Sequence, residues 1–199
     1  MRNKLLLLGI GLIAVALLVI AVSLLSIPAT PVAGPSRVTQ SGELNPGAGS
    51  TARVAYASAQ TWMQTWADDT QLVAASTTIE YPGITSGWTL QLYSPSRRRI
   101  AIVLITGDAV ELLQEQPALY AQTPITLADW TQDSDAIFER WWQERGGSIW
   151  TQPNSKTLLL HLGMSEAGLV WQITVLDDQG NLKDHQAISA TTGYVNASP

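Results

Sequence analysis

From Leu5 to Ile27 the chain is apolar apart from Ser23 and Ser26, and no charged residue interrupts the run. At about 1.5 Å per residue, a helix of this length crosses the roughly 30 Å hydrocarbon core of a bilayer. Arg2 and Lys4 precede the run, and the next positive charge is Arg37. That asymmetry predicts a cytoplasmic N-terminus, with the remainder of the chain outside. A cleaved signal peptide would have a shorter apolar region and an A-x-A-like site. Here the nearest candidate, Pro31-Val32-Ala33, places proline where a small residue is needed. Residues 1–27 are therefore expected to be an uncleaved signal anchor, a single-pass transmembrane helix. Residues 28–50 are rich in Pro, Gly, Ser, Thr and Ala, with few large apolar side chains to offset the entropy of ordering, and read as a flexible linker.

The pattern changes at Thr51. Ala55, Ala59, Trp62 and Trp66 recur at helical spacing, and the helix is expected to stop before Asp68-Asp69. Gln71–Ile79 reads as a strand. Trp88, Leu90 and Leu92 alternate with Thr89, Gln91 and Tyr93, the period of a half-buried strand. Ile100–Ile105 is a third, strongly apolar strand. A polar stretch with Pro117 and Pro124 follows, and the order recurs. Thr126 or Asp133 caps a second helix carrying Ile137, Phe138 and Trp141, with Gly146-Gly147 as its stop signal. Leu158–Leu162, the alternating run Leu169-Trp171-Ile173-Val175, and Ala187–Ala190 read as three further strands, with a turn at Asp177–Gly180.

Trp88-x-Leu90-x-Leu92 can be laid over Trp171-x-Ile173-x-Val175, which suggests an internal duplication. The expected fold class is α+β: two tandem units, each a helix plus a three-stranded antiparallel sheet, over residues 51–116 and 117–199, after the N-terminal transmembrane helix.

Within the second half, Leu127-x-Asp129-Trp130, Asp133-Ser134, Gly146-Gly147, Trp171-x-Ile173 and the closing Ile188-Ser189-Ala190-Thr191-Thr192-Gly193-Tyr194-Val195 resemble PepSY-like repeats of bacterial exported proteins. Ser189 stands where the family's closing pattern usually carries an aspartate. The first half is similar through Trp66–Leu72 and Trp88. The resemblance implies tandem PepSY-like repeats and, because related domains occur in propeptides of secreted metallopeptidases, peptidase inhibition or protein binding. It brings no catalytic residues.

Charge narrows the partners. The formal net charge is -5, and without Arg2 and Lys4 nine Lys and Arg remain against sixteen Asp and Glu. An acidic ectodomain is a poor nucleic-acid binder, and anionic head groups repel it. Arg97-Arg98-Arg99 is the one basic cluster, expected in a solvated turn. The chain has no cysteine, which removes disulfides, thiolate metal sites and a thiol nucleophile.

Little in the chain points to chemistry. His161 and His185 have no two-ligand spacing, and neither Gly83–Gly87 nor Gly163–Gly168 has the nucleophile-elbow spacing. An acid pair of the glycosidase kind could be drawn from Asp68-Asp69, Asp133 and Asp135, or Asp177-Asp178, but all are expected at helix ends or turns, where Asp caps. No catalytic, cofactor-binding or metal residue is assigned, and no cofactor is expected. Eight tryptophans against one phenylalanine is a bias that core packing can absorb. Trp141 and Trp142 cannot both face the same side of a helix, so Trp142, with Trp150 beyond the glycines, is a candidate partner contact. The expected function is a membrane-tethered extracytoplasmic binding or structural module, one that restrains a peptidase or contacts an envelope protein. The alternative is a carboxylate-dependent hydrolase acting on cell-wall or glycan material.

Overall fold

The computed structural model describes residues 51–80, 84–85, 87–151 and 155–195. The expected anchor and linker, 1–27 and 28–50, lie outside them. No described helix is long and apolar enough to cross a membrane.

Helix α1 (Ala52–Trp66) starts at Thr51, whose hydroxyl accepts from the Val54 amide. Its buried face is Ala52, Ala55, Ala59 and Met63, spaced three or four residues apart so that they stack along one side. Small alanines let the helix lie close to the sheet beneath. Strand β1 (Gln71–Glu80) is followed by the two-residue β2 (Ile84–Thr85), β3 (Trp88–Ser94), β4 (Arg99–Thr106) and β5 (Ala109–Pro117). Helix α2 (Ser134–Trp141) runs into a π-helical turn (Trp142–Gly146) and a last helical turn, α3 (Gly147–Trp150). Strands β6 (Ser155–Ser165), β7 (Gly168–Asp177) and β8 (Leu182–Ser189) complete the chain.

All these strands join one antiparallel sheet. Its order is β5-β4-β3-β1-β6-β7-β8, with β2 beside β1. One face carries the helices and the main core. Leu72, Ala75 and Ile79 of β1, Leu90 and Leu92 of β3, Leu158, Leu160 and Leu162 of β6, and Ile173 and Val175 of β7 meet the buried faces of α1 and α2. On the other face a small cluster, Tyr93, Ile100, Ile102 and Ala118, packs with Val73.

The expectation of two separate helix-plus-three-strand units is overturned. Strand β1 pairs with β6 from Ala74↔Gly163 to Glu80↔Thr157, so both halves contribute to one sheet. The first half also supplies an extra long strand, β5, in the stretch read as a polar separator. The rings of Trp88 and Trp171 do not each serve a private core. They meet edge to face at 6.1 Å, and Trp171 touches Trp130 at 6.3 Å.

Gly146-Gly147 does not stop the second helix. A Cβ on Gly146 would lie 2.4 Å from a ring carbon of Trp141, so this glycine makes room for the indole. The helix continues through the π turn to Trp150.

The two helices share their N-terminal caps. The Asp133 carboxylate accepts from the Ser134 amide at 2.8 Å and from the Arg53 amide of α1 at 3.3 and 3.4 Å. Beside it the Ser134 hydroxyl accepts from the Ala52 amide of α1 at 3.1 Å. Orphan N–H groups at both helix starts are thus satisfied by the α2 cap residue Asp133 and by Ser134.

Candidate functional site

The carboxylates singled out from the sequence are distributed over separate turns. Asp69 accepts from the Ser94 hydroxyl and the Ser96 amide, both at 2.6 Å, and ties the end of α1 to the β3–β4 turn. These bonds, that from Ser94 foremost, hold its carboxyl below the ordinary 3.8. Asp133 caps the two helices, and Asp135 accepts from the Ala136 amide. Asp177 accepts from the side chain and backbone of Asn181 and from the Gln179 amide, and closes the β7–β8 turn. The Asn181 bonds, with those from Gln179 and the nearby Lys183, hold Asp177 below the ordinary range. Asp68 and Asp178 are exposed.

The histidines lie apart. His185 pairs with the Thr174 hydroxyl at 3.0 Å, while His161 lies across Gly163 on the face opposite the helices, where burial lowers its pKa. Among the described residues no group of three or more His, Cys, Asp or Glu could hold a metal ion.

Of the two candidate partner contacts, Trp150 is 3 % exposed and belongs to the main core. Trp142 is half-buried and stacks on Phe138 at 5.8 Å. The π turn that separates them has a clear task. It aims Arg145 at Asp184 of β8, 2.5 Å away, while the Trp141 indole donates to the same carboxylate at 3.0 Å. Arg145 and Trp141 thus fasten the helical segment to the edge of the sheet, satisfying a buried charge.

A cavity of about 200 Å³ opens beside Thr77, Thr85, Trp88, Ile105, Ser134 and Leu160. Three of its hydroxyls are already paired: Thr77 donates to the Gly87 carbonyl at 2.6 Å and shares a bond with Thr85, and Ser134 accepts from Ala52. No charged side chain lines it.

The least committed surface is the β5 edge. Among the described residues β5 pairs only with β4. Leu112 and Leu113 in its middle are 42 % and 49 % exposed, and just beyond it Leu119 and Tyr120 are 89 % and 65 % exposed. The Ala118 amide donates to the Arg98 carbonyl, which sets the arginine turn beside this end of the strand. Arg97 and Arg99 both pair with Glu115, and Arg97 also lies over the Trp66 ring at 5.1 Å. Arg98 is exposed and makes no ion pair among the described residues.

The opposite edge is different. Strand β8 carries Lys183, Asp184 and His185, and its end is covered by the chain itself: Ile188 bridges Val195, and the Ser189 amide donates to the Tyr194 carbonyl. Sequence reasoning missed β5 as a site because Glu111, Gln114, Glu115 and Gln116 read as linker. The leucine doublet between a Gly107 turn and Pro117 was the available signal. Compared with known proteins, the chain matches no family model, no curated protein and no solved structure.

Proposed function

We propose that the chain is a membrane-tethered extracytoplasmic binding module that contacts another polypeptide of the cell envelope along β5. One observation carries the reading: a strand with an open edge bears exposed leucines at its centre and leads into an exposed Leu-Tyr pair. Unpaired strand edges offer a row of N–H and C=O groups to an added strand, and the flanking apolar side chains supply the contact area. The PepSY-like resemblance, with its link to peptidase restraint, agrees with a protein ligand. The hydrolase alternative needs two carboxylates facing one cleft, whereas Asp69, Asp133 and Asp177 each serve a different cap or turn.

The test is a photo-crosslinking residue placed at Leu119 of the full chain in its native membrane, with Leu182 on β8 as the control. The expected outcome is a discrete polypeptide adduct from Leu119 that Leu182 does not form. Adducts at neither position, or equally at both, would remove β5 as the contact surface.

A further inference from the structure

We infer that the partner at this surface is a serine endopeptidase with an apolar specificity pocket, and that residues 119–124, the strap leading out of β5, enter its cleft with Tyr120 in that pocket. The inference rests on the reading of β5 and its Leu119-Tyr120 extension as a protein-contact surface, and it names the partner.

The strap is fixed at both ends and open between them. At one end Ala118 is buried with Tyr93 and Ile100, and its amide donates to the Arg98 carbonyl at 2.8 Å. At the other end Ile125 is buried in the main core, and its amide donates to the Leu72 carbonyl at 2.7 Å. Between these anchors the chain forms neither helix nor strand. Among the described residues, no amide of 119–123 donates to an acceptor. Pro117 and Pro124 flank the strap with φ fixed at about −65°, and Thr123, before Pro124, is biased to extended backbone.

A peptidase cleft takes extended chain. Main-chain hydrogen bonds supply affinity, and a pocket reads one side chain. The strap offers both: its amides are unclaimed, and Leu119 and Tyr120 are 89 % and 65 % exposed. No charged residue occurs from Ala118 to Ile125, so entry into a desolvated cleft strips water from no ion. Because the strap is ordered before it binds, little conformational entropy is left to lose.

The same clamps explain why the strap blocks a cleft rather than being consumed in it. Gln122 Nε2 donates to the Tyr120 carbonyl at 3.1 Å, a bond that spans the Tyr120–Ala121 peptide. Attack by the peptidase hydroxyl on the Tyr120 carbonyl carbon breaks the C–N bond, passes a proton to the Ala121 nitrogen and leaves an acyl-enzyme. The Ala121 amine cannot drift away, since Ile125 stays tied to Leu72 and β1 stays paired with β6. Held beside the acyl carbon at high effective concentration, it re-forms the peptide bond before water can intervene.

The test uses the full chain, tether included, in detergent, with chymotrypsin as the probe peptidase acting on a small chromogenic tyrosine substrate. The expected result is inhibition that rises with chain concentration, while mass spectrometry finds the Tyr120–Ala121 bond mostly intact. Tyr120→Ala should raise the half-inhibiting concentration about thirtyfold, as loss of an anchor side chain does, and Tyr120→Phe should keep inhibition. Tyr194→Ala, which removes another exposed tyrosine, should change nothing. Gln122→Ala should speed cutting after Tyr120 about tenfold, the effect of one lost hydrogen bond. Complete cutting after Tyr120 without inhibition, inhibition indifferent to Tyr120→Ala, or no inhibition at all overturns the inference. A Leu119 photo-adduct in the membrane without inhibition of the probe leaves the contact surface standing and sinks only its assigned partner. Neither adduct nor inhibition sinks both.

Discussion

Trp130 and Trp171 stand with their rings 6.3 Å apart, both fully buried, but their nitrogens are treated differently. The Trp171 indole donates to the Gln132 carbonyl at 2.9 Å, whereas the buried Trp130 nitrogen has no acceptor among the described residues. A buried donor without a partner costs free energy, and removing it is cheaper than orphaning an acceptor that had one. Trp171→Phe should therefore destabilise the protein by about 1–3 kcal/mol more than Trp130→Phe, read from urea denaturation. Equal costs would mean that the Trp130 nitrogen is satisfied.

Acid should expose a second set of single residues. Asp69 and Asp177 both have carboxyl groups held below 3.8 by donated hydrogen bonds. Their unfolded forms bind protons first, so their contribution to stability is complete above 3.8 and is lost as pH falls through the lower folded values. Melting temperatures of Asp69→Asn and Asp177→Asn should lie below that of the unsubstituted protein at neutral pH and converge with it in strong acid. A constant gap at every pH would exclude this linkage. At this scale the sequence was quite legible: Asp177 in a turn follows from residue type, and of the two cap candidates, Thr126 and Asp133, the helix uses Asp133. Asp69 was legible only as a helix stop, because its partners Ser94 and Ser96 are 25 and 27 residues away.

Among the elements, the segment from α2 to Trp150 depends on one carboxylate. Asp184 is buried, and its donors are Trp141 and the half-exposed Arg145, both presented by the helical segment. Arg145→Ala leaves the carboxylate with the indole alone. Asp184→Asn removes the charge and keeps an acceptor. A double-mutant cycle should give a coupling of about 0.5–3 kcal/mol between these positions, as expected for residues in direct contact. Additive effects would mean that the ion pair does not fasten the segment. The π turn was not legible. Gly-Gly is an ordinary stop signal, and only the approach of Gly146 to the Trp141 ring shows its other use. Strand β5 was hidden for a related reason. An edge strand solvated on both faces needs no clean alternation, so its charged and amide residues read as connector.

Across the whole molecule, alternation located most inner strands, but periodicity says nothing about which strands adjoin. The join of β1 to β6 is a contact between residues about 80 positions apart, and it turned two expected units into one sheet. Cooperativity should reflect that join. Trp88→Ala and Trp171→Ala should each cost about 3–5 kcal/mol, and the double variant less than their sum, because the two rings touch. Circular dichroism and tryptophan fluorescence should report one coincident transition. Two separated transitions would restore independent halves.

The caps that Asp133 and Ser134 place on the start of α1 also give the fold a load path. Everything N-terminal to Thr51 is attached at the first turn of α1, where the Ala52 and Arg53 amides are held by Ser134 and Asp133. Tension drawn along the chain from that side cannot peel α1 away without first breaking its bonds to Asp133 and Ser134 at the start of α2. A pull on one end of the sequence is therefore carried at its middle, by the same helix that holds β8 through Trp141 and Arg145.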